Sequence, residues 1–284
     1  MSPGIVERSH LKSRLLLYKL SLLILATAVG AFTQSLEVRP AFEEFEVATI
    51  LQTAPSWTGG RFIRMQSANR LVARNHALKT LIAAAYKLSP KAITGGPAWV
   101  DSDRYDILAK TPGDVRPNLE EQMAMLRKLL SERFKLTFHR EPKELSIYTL
   151  SIAKNGPKLR ESTVSLNSTP AGPPPLIFIV SPQNVELPGR NESMQELASV
   201  MQRSALDRPV IDKTGLLGRY DFDLEWTPDE TQFGGALGKP ANPNESTVPG
   251  LFTAIQQQLG LRLEAKRGLV ELLVIDGIGR PKEN

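Results

Sequence analysis

The chain has 284 residues, of which 41% are hydrophobic and 23% charged, so it is long enough for one or two globular domains with apolar cores. It contains no cysteine, which excludes disulfides, zinc sites built from thiolates and a cysteine nucleophile. The formal net charge is +5, but four of the 35 basic and one of the 30 acidic residues lie in the first thirty positions. The remainder carries 31 − 29 = +2, and this near-neutral charge argues against a nucleic-acid partner.

Residues 1–33 have the pattern of a secretory signal peptide. Basic residues come first, residues 20–29 form a short apolar run, and small residues at 28–30 offer cleavage positions. An uncleaved anchor at residues 15–32 is the alternative, since the Lys19 side chain can extend to the membrane interface. We therefore expect an exported protein, periplasmic or extracellular, which contacts the membrane only through this segment if the segment is retained.

Residues 40–161 are predicted to form a first α/β unit. Asn75 is the expected N-cap of its first helix, and Pro90 ends that helix. The predicted elements, in chain order, are a strand at 45–50, a hairpin of 61–65 and 70–74, a helix at 76–88, a strand at 104–109, a helix at 119–134, and an antiparallel pair of 136–139 and 145–153.

A proline-rich linker at 162–176 leads to a second unit at 177–281. Asn191 occupies the place of Asn75 as the expected helix N-cap. The predicted elements are strands at 177–180 and 184–187, the helix after Asn191, strands at 209–212 and 219–226, a long loop at 232–248, a helix at 249–259, and strands at 261–265 and 269–276.

The two units are predicted to be copies of one another. Residues 104–107 recur as 219–222, a shift of 115 positions (219 − 104), and residues 74–75 recur as 190–191 at a shift of 116. Downstream, the apolar positions of the last helix and last strands correspond at a shift of 125, which a longer loop in the second copy explains. We therefore expect an α+β fold of two repeated lobes, each with two helices packed on a mainly antiparallel sheet.

Several stretches of the chain are similar to a known protein family. They lie at residues 45–50, 93–99, 101–106, 130–136, 210–216 and 218–222, and the positions that stand out are Gly95, Gly96, Pro97, Trp99, Arg104, Tyr105, Asp106, Asp212, Lys213, Thr214, Gly215, Gly218, Arg219, Tyr220 and Asp221. In this order, over the whole chain after the leader, they resemble a soil-associated bacterial family of exported proteins of unknown function. We expect these positions to have structural roles.

The resemblance implies a binding role. Some relatives in that family are attached to membrane metallopeptidases of the antibiotic-sensor type, which suits a sensing or docking domain. Each repeat also resembles, more faintly, the short N-terminal α/β domains of secretins and TonB-dependent receptors, which are interaction modules. By this analogy we expect an envelope protein or a membrane-bound sensor as partner.

Few residues are candidates for chemistry. His76 lies at a predicted helix start and His139 at a predicted strand end, where ordinary polar residues are common. Asp101, Asp103 and Asp106 could bind calcium through oxygen atoms, but the glycine and distal glutamate of an EF-hand are missing, and turn capping explains them better. We predict no catalytic, cofactor-binding or metal-binding residue, and no cofactor.

Two functions from different classes remain open at this point. The first is a non-enzymatic interaction or ligand-sensing module of the cell envelope, in which the strand edges of each copy could accept a strand from a partner. The alternative is an exported hydrolase that uses paired carboxylates, for instance Asp103 with Asp106 or Glu141. The alternative requires these carboxylates to converge in a cleft.

Overall fold

The computed structural model describes residues 39–163, 176–237 and 248–282, and the fold is α+β, as expected. Residues Ala41–Asn284 form one compact unit. The strands are β1 (Val47–Gln52), β2 (Phe62–Met65), β3 (Arg70–Ala77), β4 (Ile93–Gly95), β5 (Arg104–Lys110), β6 (Thr137–Ile152), β7 (Arg160–Glu161), β8 (Ile179–Val180), β9 (Val185–Glu192), β10 (Val210–Asp212), β11 (Tyr220–Trp226) and β12 (Leu261–Gly277). The α-helices are α1 (Leu78–Ala85), α2 (Trp99–Ser102), α3 (Leu119–Arg133), α4 (Met194–Val200) and α5 (Leu251–Ala254).

Apart from α3, the α-helices of the described ranges have eight residues or fewer, and two of them change type before they end. Helix α4 continues into a π-helical turn at Met201–Ala205, and α5 continues into one at Ile255–Leu259. A 3₁₀ turn at Pro90–Ala92 follows α1, and another lies at Gln232–Gly235. The predicted signal peptide at 1–33, most of the predicted linker and residues 238–247 of the long loop lie outside the described residues. None of the helices in the described ranges is long and apolar enough to cross a membrane.

Two four-stranded antiparallel sheets lie in the two halves of the chain. The first has the strand order β1-β5-β3-β2 and the second has the order β7-β11-β9-β8. Strands β7, β11, β9 and β8 occupy the same places in the second sheet as β1, β5, β3 and β2 in the first. Tyr105 lies opposite His76 on the neighbouring strand, and Tyr220 lies opposite Glu192 in the same way. A duplicated unit requires such correspondences, and the duplication itself stays a prediction.

A third sheet, with the order β10-β6-β12-β4, is built from both halves. Strands β6 and β12 pair antiparallel along their whole length, from Ile152 opposite Leu261 to Thr137 opposite Gly277. The short strand β4 of the first half pairs in parallel with β12 of the second, and β10 of the second half pairs in parallel with β6 of the first. The halves therefore exchange strands and share this sheet.

The separate strands predicted at the end of each unit are wrong. Residues 137–139 and 145–152 belong to one strand, β6, and residues 261–265 and 269–276 belong to one strand, β12. The charged, proline-containing residues 140–144 have the composition of a turn, but they pair with the other half, and Pro142 lies opposite Glu271. A local sequence pattern does not reveal a partner strand more than a hundred residues away.

Two apolar cores lie beneath the two outer sheets, and the shared sheet contributes to both. The first core holds residues of α1, α3 and β5, and the second holds residues of α4, α5 and β11. Along β6, Phe138 packs against the first core, while Tyr148 and Leu150 belong to the second. Fully burying one large apolar side chain contributes about 1.5–3 kcal/mol, so a single long strand stabilises both halves.

The expected helix caps at Asn75 and Asn191 are wrong. Helix α1 begins at Leu78 without a side-chain cap, and α4 is capped by Ser193 in a capping box with Glu196. Both asparagines instead lie in strands with left-handed backbone angles, φ 57° and 59°. Asparagine is favoured at helix caps and also tolerates this left-handed region, so its presence alone does not distinguish the two structures.

Candidate functional site

A bulge in the first sheet gathers five charged and polar residues around the repeated Arg-Tyr-Asp sequence. The register of β3 and β5 shifts at Asn75, and the Asn75 N–H donates to Asp106 Oδ1 at 2.9 Å. Thr53 Oγ1 donates to the same oxygen at 2.8 Å, and Arg74 Nη1 donates to Oδ2 at 2.6 Å. Arg104 Nη1 donates to the Asn75 carbonyl at 3.2 Å. The Asp106 carboxylate thus accepts three hydrogen bonds, from Thr53, Arg74 and the Asn75 N–H.

The second sheet has the matching bulge between β9 and β11. The Asn191 N–H donates to Asp221 Oδ1 at 2.9 Å, and Arg219 Nε donates to the Asn191 carbonyl at 2.6 Å. Arg160 Nη2 lies 3.3 Å from Asp221 Oδ2 and takes the role that Arg74 has in the first half. Ser162, like Thr53, follows the edge strand, and its N–H donates to the Arg219 carbonyl at 2.8 Å.

The two aspartates therefore hold bulges together. Burial of Asp106 opposes its ionisation, but the bonds from the Asn75 N–H, Thr53 and Arg74 outweigh burial and lower its pKa. The pKa of Asp221 is lowered in the same way, against burial, by the Asn191 N–H and neighbouring groups. The partners of Asp106 are therefore Arg74, Thr53 and the backbone amide of Asn75.

The Gly95-Gly96 turn belongs to the strand exchange. Gly95 is the last residue of β4 and has φ 78°, and a Cβ there would stand 2.8 Å from the carbonyl oxygen of Ile275 in β12. Gly96 has φ 75°, and a Cβ there would stand 3.3 Å from the Ile275 side chain. Glycine is needed at Gly95 because the strand from the other half approaches too closely for a side chain.

Trp99 anchors the C-terminal segment. It follows Pro97 at the start of α2 and packs against the first core. The Arg280 guanidinium lies 4.8 Å from the centre of its ring, and Arg280 Nη2 donates to Asp103 Oδ2 at 2.9 Å. Trp99 is therefore engaged within the chain by a cation–π contact.

The Asp212-Lys213-Thr214-Gly215 stretch is a turn that continues the other exchanged strand. The Thr214 N–H and Oγ1 both donate to Asp212 Oδ1, at 2.9 and 2.8 Å, and Gly215 has φ 69°. The Lys213 N–H donates to the Leu150 carbonyl at 2.8 Å, which extends the pairing of β10 with β6. These residues terminate the strand by the side-chain bonding typical of aspartate and threonine in turns.

Gly218 and the two tyrosines complete the motif positions. Tyr105 is 2% exposed and Tyr220 is 8% exposed, and each packs in the core of its own half. A Cβ on Gly218 would stand 2.8 Å from the Tyr220 hydroxyl oxygen, so glycine makes room for that ring. Leu217, beside it, is 98% exposed.

The carboxylates of the hydrolase alternative have separate partners. Asp103 binds Arg280, whereas Asp106 binds Arg74 and lies in the bulge. Glu141 is an exposed residue of β6 and lies opposite Leu272. The hydrogen bonds and ion pairs in the described ranges do not join any two of these three carboxylates.

The histidines are likewise separated. His76 is not at a helix start, as the sequence suggested, but near the end of β3, where it is 7% exposed. Burial and the nearby Arg61 charge lower its pKa to about 3, so the ring is neutral. His139 Nδ1 lies 2.7 Å from Asp276 Oδ1 on an exposed part of the shared sheet. Within the described residues no group of three or more histidines or carboxylates could hold a metal ion.

A buried glutamate, paired with a half-buried one, stands where the first half has His76. Glu192, at the end of β9, is 8% exposed, and burial and then the Glu196 carboxylate raise its pKa to about 8. Glu196 also closes the capping box of α4 and accepts from Arg219 Nη2 at 2.9 Å. Glu192 is therefore a neutral acid that shares a hydrogen bond with an ionised one. The shift of 116 positions that relates His76 to Glu192 was visible in the sequence, but their burial was not.

A cleft of about 320 Å³ lies at the junction of the two halves. Its walls come from both halves. The first half contributes Lys91, Leu145 and Ser146, and the second half contributes Asp207, Arg208 and Pro209. Sequence reasoning did not single out any of these residues, although Lys91 and Arg208 each stand two positions before an exchanged strand.

Within the cleft the two cations differ in their partners. Arg208 binds the Asp207 carboxylate with two nitrogens, at 3.0 and 2.7 Å, and lies 4.7 Å from the centre of the Tyr148 ring. Lys91 is exposed, and its ammonium forms no ion pair with any residue in the described part of the chain. The cleft thus presents one compensated cation, one uncompensated cation, a hydroxyl and two apolar side chains.

The left-handed asparagines give a matched pair of stability tests. Asn75→Ala and Asn191→Ala should each lower the free energy of unfolding by about 1–2 kcal/mol, because alanine is strained in this backbone region. Asn75→Gly and Asn191→Gly should cost less than the alanine variants at the same position. The measurement is denaturant unfolding of the four variants, and equal stability of alanine and glycine variants would contradict a left-handed conformation.

Glu192 gives a pH-dependence test. Its pKa rises from 4.5 in the unfolded chain to about 8 in the folded protein, so the folded state retains a proton that the unfolded state releases. Its contribution to stability is therefore lost as the pH rises from about 4.5 to about 8. Glu192→Gln keeps the neutral hydrogen-bonding shape and should be more stable than the natural chain by about 2–4 kcal/mol at pH 8, and equally stable near pH 4. If the difference in stability between Glu192→Gln and the natural chain stayed the same from pH 4 to pH 8, that would contradict a neutral Glu192.

Comparison with known proteins places the chain in a family. No curated protein and no solved structure matches it. A family model described as "Protein of unknown function (DUF3738)" matches residues 79–278, which is 200 of the 284 residues (278 − 79 + 1) and runs from α1 into the last strand. The match includes both bulge aspartates, both exchanged strands and the junction cleft, and the chain belongs to this family of proteins of unknown function.

Proposed function

We propose that this protein is an exported, non-enzymatic binding module of the cell envelope, and that it takes a small anionic ligand in the junction cleft. The observation that carries the proposal is the cleft itself, to which both halves contribute polar groups. Export is supported by the signal-peptide pattern of residues 1–33. The envelope is supported by the resemblance of each half to the short domains of secretins and TonB-dependent receptors.

The motif residues support a binding scaffold. The polar groups of four motif residues form hydrogen bonds within the bulges: Arg104, Asp106, Arg219 and Asp221. Gly95 leaves space for the backbone of the exchanged strand. We infer that the two halves arose by duplication of one unit, and that these shared positions preserve the architecture.

Size and charge indicate the class of ligand. A volume of about 320 Å³ lies at the lower end of the range for small-molecule sites, about 300–1,000 Å³. Lys91, Arg208 and Asp207 together leave one net positive charge, and Leu145 and Pro209 offer apolar walls. A compact monocarboxylate with a small apolar body fits this combination.

A ligand at this place would act on the junction. Lys91 precedes β4 and Arg208 precedes β10, so a carboxylate that contacts both would connect the two exchanged strands. Gln202 already links the same region, because its side-chain amide donates to the Lys87 carbonyl at 2.9 Å and its oxygen accepts from the Val210 N–H at 3.1 Å. Ligand binding would stabilise the arrangement of the halves, and such coupling is what a sensor requires.

The test uses small aliphatic and aromatic monocarboxylates, each beside its neutral amide, with benzoate and benzamide as the first pair. A carboxylate at a hundred times its dissociation constant should stabilise the chain by about 2.7 kcal/mol, measured as a rise in melting temperature, while its amide has little effect. Lys91→Gln should remove the preference for the carboxylate. Lys154→Gln changes the same charge at an exposed loop position and should retain the preference.

Three results would each contradict one part of the proposal. If the carboxylates stabilise the chain no more than their amides across the series, the ligand is not an anion. If the preference for carboxylates survives Lys91→Gln, the ligand does not bind in the junction cleft. Recovery of the chain in the cytoplasmic fraction with residues 1–33 intact would contradict export without affecting the cleft.

A further inference from the structure

The exposed faces of the two outer sheets carry opposite charges at equivalent positions. In the first sheet, Val47 of β1 lies opposite Lys110 of β5, which in turn lies opposite Arg70 of β3. These three residues form a line across three neighbouring strands, which we call the basic row. All three are exposed, and the Val47 side chain is 63% exposed.

The second sheet carries the acidic row. Ile179 of β8 lies opposite Glu186 of β9, which lies opposite Glu225 of β11. Ile179 is 42% exposed, Glu186 is exposed and Glu225 is half-buried. The acidic row is related to the basic row by the shifts found in the sequence, since Glu186 stands 116 positions after Arg70 and Glu225 stands 115 after Lys110.

Each row places like charges side by side within the sheet. Like charges directly opposite each other in an antiparallel pair are destabilising. Lys110 is partly compensated by Glu46 at 2.6 Å, and Glu225 accepts from the Asn184 side chain. Arg70 and Glu186 form no ion pair with any residue that the structure describes. Each sheet therefore retains an uncompensated charge that a surface of opposite sign would neutralise.

The basic row also borders an open space. Arg70 and Lys110 line a cleft of about 600 Å³ together with Gln66, Ser67 and Asn69. Polar side chains at this end of the sheet leave room for carboxylates of a partner to approach both cations. The acidic row offers such carboxylates in a line of the same three-strand width, and its apolar residue lies on the opposite edge strand, β8 instead of the counterpart of β1.

We propose that the basic row of one copy of this chain docks on the acidic row of a second copy. Face to face, Lys110 and Arg70 would meet Glu186 and Glu225, and Val47 would meet Ile179. Because the rows lie on different sheets of one chain, the contact is head-to-tail, and it generates chains or rings of copies rather than a closed two-fold dimer. This association is independent of the junction cleft, which neither row lines.

The association is weak and depends on salt. The paired side chains are exposed, and salt screens exposed charges over about 8 Å at physiological ionic strength. The apolar contribution is limited to one residue on each side. We therefore expect self-association at low salt that is reversed by added salt, with no change in the fold.

The experiment is sedimentation of the full mature chain over a concentration series, at about 0.02 M and about 0.5 M salt. The weight-average mass should rise with concentration at low salt and return to the monomer value at high salt. Arg70→Glu with Lys110→Glu should abolish the rise, and so should Glu186→Lys with Glu225→Lys. An equimolar mixture of these two variants should associate again, because one carries two acidic faces and the other two basic faces.

Matched variants separate docking from general charge effects and from misfolding. The double variant Lys143→Glu with Lys154→Glu makes the same change of charge outside both rows. It should self-associate to the same extent as the natural chain. Arg70→Glu alone breaks no ion pair within the described ranges and should reduce the association at an unchanged melting temperature, even if loss of the Lys110–Glu46 pair unfolds the double variant.

Three outcomes would overturn the proposal. The first is a monomer at low salt throughout the concentration series. The second is self-association that persists after reversal of either row, which would point to another surface or another partner. The third is an equimolar mixture of the two folded reversal variants that stays monomeric.

Discussion

The antiparallel pairing of β6 with β12 is the interaction on which the rest of the structure depends. It joins one long strand from each half. Strand β4 of the first half pairs with β12 of the second, and β10 of the second half pairs with β6 of the first. Phe138 and Tyr148, ten residues apart on one strand, belong to different cores. Neither core is complete without the other half, and the junction cleft exists only because the halves exchange these strands.

The two halves show how one backbone plan accommodates different chemistry. The bulges repeat group for group, because an aspartate accepts from a left-handed asparagine and an arginine donates to that asparagine's carbonyl in both. One residue further along, the halves diverge: His76 is kept neutral by burial, and Glu192 is kept neutral by burial and by its carboxylate neighbour. On the exposed faces, corresponding positions carry opposite charges, with Arg70 in one half and Glu186 in the other. Positions that hold the backbone are shared, and positions that face solvent or partner differ.

The sequence predicted much of the local structure and little of its assembly. The period of apolar residues after position 77 predicted α1, and alternation predicted the hairpin of β2 and β3, since both depend on neighbours in the chain. The long strands were missed because Pro142 and its charged neighbours resemble a turn, and only a partner from the other half makes them a strand. Asn75 was misassigned because helix caps and left-handed bulges favour the same residue. Lys91 and Arg208 are 117 positions apart (208 − 91), and no local pattern brings them to one cleft.

A cross-strand disulfide tests the shared sheet most directly, because the natural chain has no cysteine to compete. Glu144 lies opposite Leu269 near the middle of the β6–β12 pair. The Ala153 N–H donates to the Gly260 carbonyl at 2.9 Å, so hydrogen-bonded pairs fall on odd-numbered residues of β6, and Glu144 occupies a non-bonded pair where side chains approach closely. Glu144→Cys with Leu269→Cys should form one disulfide within the folded chain under mild oxidation, whereas Glu144→Cys with Glu264→Cys should not. Two free thiols in the folded first variant would contradict the shared sheet.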